Sequence, residues 1–145
     1  MSFIEWDDRF DVGISAINEQ HKQLIGLINE VHDVIAQTRQ RIDLAAVSKE
    51  VSVLISAVNR MDDYAQHHFS TEEYYLSEYS FRGLKSHKKE HEAFMQKVQG
   101  FQRDIDRGST LTLTELEEYL KAWIVHHILK VDHKYTRFLT KKGVS

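Results

Sequence analysis

The apolar residues of this chain recur in steps of three and four along four long stretches, and no proline interrupts any of them. Ile17, His21, Leu24, Ile28, Val31 and Ile35 form the first stripe; Val47, Val51, Leu54, Val58, Met61, Ala65, His68 and Glu72 form the second. The third runs Leu84, His87, His91, Phe94, Val98, Phe101 and Ile105, and the fourth Leu113, Leu116, Leu120, Trp123 and His127. Such alternation turns one face of a helix toward a shared interior, whereas a strand would change face every second residue. The separators agree. Thr38 to Asp43, Ser80 to Gly83 and Asp106 to Ser109 are polar breaks, with Asp43 placed to cap the second helix and Thr112-Leu113-Thr114-Glu115 in the form of a capping box. Short connections make neighbouring helices antiparallel. The expected fold is all-α: a single domain spanning 1–145, an up-down-up-down four-helix bundle over about 14–140. An N-terminal arm, 1–13, precedes it, and its Trp6 and Phe10 cover the bundle.

Composition narrows the function classes. With 41% hydrophobic and 28% charged residues the chain is of soluble globular type. A net charge of −3 with scattered lysines and arginines excludes nucleic acid as the main partner. The absence of cysteine removes disulfides, thiolate metal sites, iron–sulfur clusters and covalently attached haem. The first ten residues carry three acidic groups and no apolar signal segment, and no stretch approaches a membrane span, so a cytoplasmic location is expected.

Each stripe is broken by groups that do not belong in an apolar core. His21 lies near the start of the first helix, His68 and Glu72 near the end of the second, His87 and His91 at the start of the third, and His127 late in the fourth. In an antiparallel bundle all four places are at one end, so the seam turns polar on every helix at the same height. Singly, each has an ordinary explanation: a hydrogen-bonded core histidine, a surface His-x-x-x-His pair, an ion pair one turn apart. Jointly, a buried layer of imidazole and carboxylate is too costly unless its members are tied to one another or to metal. Asp132 is the misfit. It follows His127 by five residues, about 140° around a regular helix, so a bulge is needed to turn it inward; spacing alone nominates Val131. His32, His67, His126 and His133 lie off the seam and read as surface or structural residues.

Five imidazoles with two carboxylates exceed what one ion needs and suit a pair of ions bridged by the carboxylates. Nitrogen and oxygen ligands without sulfur are compatible with iron, manganese or zinc. The chain contains no Glu-x-x-His, the motif of di-iron carboxylate enzymes in helix bundles, and its histidine excess favours reversible binding over oxygen insertion.

The runs NEQHKQL (18–24), HFSTEE (68–73), HKKEHEAF (87–94) and WIVHHILKVDHKY (123–135) resemble the hemerythrins, in particular single-domain bacteriohemerythrins, over nearly the whole chain. The bundle fold follows from that resemblance as well, since myohemerythrin is a standard example of it. The resemblance implies two non-haem iron ions with an oxo or hydroxo bridge. His87, His91 and His127 would hold one iron, His21 and His68 the other with an open place for O2, and Glu72 and Asp132 would bridge both. It also implies an O2 pocket lined by Trp123 and Leu129, to which Leu24 is added. Two departures concern the scaffold: Asn18 where many relatives have aspartate, which bears on the start of the first helix, and Arg82 where many have proline, which bears on the loop. The expectation is a monomeric O2 carrier or store with no catalytic residues and an unidentified recipient for the oxygen. The alternatives are a sensor of O2, nitric oxide or redox state using the same site, and a di-iron peroxidase or iron-donating repair protein. Sensor versions are usually fused to output domains, and this chain stops a few residues past its fourth helix.

Overall fold

The four stripes fold as four antiparallel helical rods, with no strand among the described residues. The computed structural model describes residues 2–39, 44–107 and 112–145, apart from the side chains of 44–50 and 112. Helix α1 spans Ser15–Arg39, α2 Leu44–Glu78 and α3 Leu84–Asp106. The fourth rod is composite: α4, Thr112–His126, a π-helical turn, His127–Asp132, and α5, His133–Lys141. Helix α1 packs on α2 and α4, and α3 on α2 and α4, which closes the bundle. Ile17, Leu24, Ile28, Val31, Ile35, Leu54, Val58, Met61, Ala65, Phe94, Val98, Leu116 and Leu120 form the interior; Val51 and Leu84 pack against it half-buried. Burying each large aliphatic or aromatic side chain contributes about 1.5–3 kcal/mol, so the core, not helix propensity, holds the rods together. The capping expected of Asp43 and of the Thr112 side chain falls outside the described residues.

The arm is fastened to the bundle. Ile4, Phe10, Val12 and Ile14 are buried, and Trp6 packs against Phe10 with ring centroids 5.6 Å apart. Asn29 of α1 pins the arm from both sides: its Oδ1 accepts from the Ile4 amide at 2.8 Å and its Nδ2 donates to the Ile4 carbonyl at 2.9 Å. The start of α1 uses Asn18 as asparagine. Its Oδ1 accepts from the Val12 amide at 3.0 Å, while its Nδ2 donates to Asp11 Oδ1 at 2.8 Å. An aspartate could not make the second bond. The departure at 18 is therefore accommodated by Asp11, which also accepts from the Gly13 amide.

Helix α2 ends in a Schellman turn: Ser80 adopts φ 54°, its amide donates to the Ser77 carbonyl, and the Phe81 amide reaches back to Leu76 at 2.9 Å. Serine occupies a left-handed position normally given to glycine. That turn returns the chain into α3 at the end of the bundle where the polar layer lies.

Candidate metal centre

The geometry of the fourth rod resolves the misfit of Asp132. A π turn closes i→i+5 hydrogen bonds, so it absorbs one residue more than an α turn and brings residues five apart toward the same face. His127 and Asp132 are its first and last residues, and both are fully buried. Val131, the position a regular helix would turn inward, is half-buried in an outer groove with Lys134. Beyond the turn the stripe resumes one residue out of phase, with Asp132, Tyr135, Thr136 and Leu139 buried.

His21, His68, Glu72, His87, His91, His127 and Asp132 converge in one layer, each at most 4% exposed. They form two sets that share Glu72: one adds His87, His91 and His127, the other His21, His68 and Asp132. Within each set the donor atoms lie within 4.8 Å of one another. Glu72 faces both ways. Its Oε1 is 2.6 Å from His68 Nε2 and 3.4 Å from His21 Nε2, whereas its Oε2 is 2.8, 3.1 and 3.5 Å from the Nε2 atoms of His87, His91 and His127. Asp132 divides in the same sense. Oδ2 approaches His21 Nε2 at 2.9 Å, and Oδ1 approaches His127 at 2.9 Å and His87 at 3.6 Å.

These short approaches are not all hydrogen bonds. His68 Nε2, His127 Nε2 and both Asp132 oxygens are buried without a hydrogen-bond partner of acceptable geometry. His68 shows why. The Thr71 hydroxyl donates to the His67 carbonyl, leaving its lone pair for Gln20 Nε2 at 3.2 Å; Gln20 Oε1 then faces His68 Nδ1 at 2.8 Å. Nδ1 therefore carries the proton, and Nε2 turns a bare lone pair toward a carboxylate oxygen at 2.6 Å. Two acceptors at that distance need a cation between them. Around an octahedral ion with bonds of about 2.1 Å, neighbouring ligand atoms sit roughly 3 Å apart, the spacing seen across this layer. The residues fit a metal.

Burial opposes charge throughout the layer, and the carboxylates decide the outcome. His127 is pushed up to about 10 because Asp132 and Glu72 outweigh its desolvation. His21 is raised by the same pair against the same burial. At His68 burial wins, and its pKa falls. Glu72 stays well below its ordinary value despite burial, chiefly through His68, and Asp132 is lowered mainly by His127.

Around this layer Phe69 stacks on His91 at 3.9 Å and 10°, and Trp123 on His127 at 4.4 Å and 13°. Leu24 is fully buried. Leu129 is half-buried and lines an outward-facing groove with Ala122 and Val125. Tyr135 lies edge-on to His87, its hydroxyl buried and unpartnered; burial, then Asp132 and Glu72, push its pKa well up.

Sequence reasoning passed over Phe69, Tyr135, Gln20 and Glu73, whose Oε2 lies 3.3 Å from His91 Nδ1. Phe69 falls four residues after Ala65 and was findable from the stripe; Gln20 and Glu73 are chain neighbours of layer residues and carry no periodic signal. The remaining histidines stay outside: His67 and His126 are exposed, His133 meets the Arg9 carbonyl at 3.1 Å, and His32 pairs with Glu117 at 2.7 Å.

Residues 12–139 match the family model of the hemerythrin HHE cation-binding domain. A bacteriohemerythrin of Clostridium acetobutylicum is 29% identical over 131 residues, covering 90% of this chain and 96% of its own. A hemerythrin-like protein of Naegleria gruberi is 31% identical, with 90% and 88% covered. A crystal structure of wild-type hemerythrin shares the fold at a TM-score of 0.71 and 23% identity, covering 94% of this chain and 97% of that one. No described helix is long and apolar enough to cross a membrane. With the match spanning nearly all of its length, the chain belongs to the hemerythrin family, which binds non-haem iron and through it O2.

Proposed function

We propose that this chain is a reversible O2 carrier or store rather than an enzyme, working through two iron ions held by His21, His68, Glu72, His87, His91, His127 and Asp132. The observation that carries the reading is the split of both carboxylates, each with one oxygen toward two histidines or fewer and the other toward the opposite group. Glu72 and Asp132 would hold the two positions at a fixed separation. The two-histidine side has one neutral donor fewer, which leaves a place for a small exogenous ligand. Two bound iron ions supply the electrons that O2 takes up on binding and gives back on release. Phe69, stacked on His91, and Phe94 beside it, with the buried Leu24 and Ile128, shield the layer from water, which suppresses side reactions of a reduced centre. Tyr135 keeps its proton beside the carboxylates and offers no base there.

Metal content per chain, with absorption spectra of reduced protein before and after O2 and after its removal, tests this reading. Two irons and charge-transfer bands that appear with O2 and fade without it are expected. Irreversible oxidation with no such bands, or catalytic consumption of peroxide, would refute carriage.

A further inference from the structure

The two halves of the centre are backed by different groups, and the difference has a functional sense. Behind His68 stands Gln20, a neutral amide whose orientation is fixed through Thr71. Behind His91 stands Glu73, a carboxylate 3.3 Å from Nδ1 and part-exposed in the groove between α2 and α3. Both acceptors require an N–H at Nδ1 and so present Nε2 to the interior as a lone pair. They do not make that lone pair equally strong. A carboxylate acceptor draws the Nδ1 proton away and gives the ring imidazolate character; an amide does so far less. Helix geometry enforces the pairing: Gln20 directly precedes His21 on α1 and leans across to α2, while Glu73 directly follows Glu72 on α2 and leans across to α3.

We propose that Glu73 and Gln20 are positioning residues that make the two metal positions unequal, with the three-histidine position binding its ion more tightly and filling first. The proposal rests on the metal reading above. It goes beyond ligand number, because exchanging the backing groups should change the inequality while all seven ligands remain.

The test is a stepwise titration of metal-free protein with Co2+, read from its ligand-field bands and by competition with a chromophoric chelator. Wild type should show two distinct steps. Glu73→Gln should weaken the tighter step by about tenfold and leave the weaker one in place, the size of effect usual for outer partners of ligating histidines. Gln20→Glu should instead strengthen the weaker step by a similar factor, and Glu73→Asp should restore the tighter one. Far-ultraviolet circular dichroism establishes that each variant is folded. If wild type binds two ions in unequal steps and neither exchange moves either constant, the proposal is wrong while the metal centre stands. If wild type binds no Co2+, the metal reading fails first.

Discussion

Filling the centre should release protons, and the structure sets how many. Without metal His127 is held up to about 10 by Asp132 and Glu72. At pH 7 it is therefore protonated by roughly three units, and removing that proton costs about 4 kcal/mol at 1.36 kcal/mol per unit. Metal binding must meet that cost, because a ligating imidazole is neutral. His21, raised in the same way, adds part of a second proton; His68 is already neutral, and both carboxylates are already ionised. About one to two protons should leave per filled chain near neutrality, and apparent affinity should rise about tenfold per pH unit for each. The same shift has a consequence without metal. A pKa raised on folding stabilises fully below the unfolded value near 6.5 and ceases to do so as pH passes about 10, so metal-free protein should weaken across that interval. Anaerobic Fe2+ calorimetry in two buffers of different ionisation enthalpy measures the protons, and urea unfolding of chelated protein measures the stability. Proton release near zero, with affinity flat from about pH 6.5 to 9, would refute the electrostatic account of the layer.

Three further outcomes follow from packing and backbone. Phe69→Ala removes a buried ring that meets His91, Phe94, Trp123 and His127; it should cost about 3–5 kcal/mol in denaturant unfolding. Ser80→Gly relieves a left-handed residue and should raise stability by about 1 kcal/mol without touching the metal centre. Asn18→Asp places a second carboxylate at 2.8 Å from Asp11, so its urea midpoint should fall below wild type at neutral pH, with the gap closing below about pH 4.

The bundle was legible because its periodicity runs through every helix, and the polar layer because antiparallel order forces His21, His68, His87, His91 and His127 to one level. Two things escaped the helical wheel. Asp132 was reached only by family resemblance, since nothing local in Ile128 to Val131 announces the π turn that spans His127–Asp132. Ile124 and Ile128, both fully buried, lay beside a stripe drawn through Trp123, which is half-buried with one face on His127. Gln20 and Glu73 were unreadable for a different reason. Their role depends on which neighbouring helix they lean toward, which is a property of three dimensions and not of spacing.

The π turn also ties the tail of the protein to its centre. About 100° of rotation separates successive residues in an ordinary helix, so relaxing the extra residue would swing Tyr135, Thr136 and Leu139 out of the interior together. The last nine helical residues are thus clocked by the same backbone detail that aims Asp132. An ion gripping that aspartate would brace the C-terminal helix from within, and amide exchange along Tyr135 to Leu139 would slow as the centre fills.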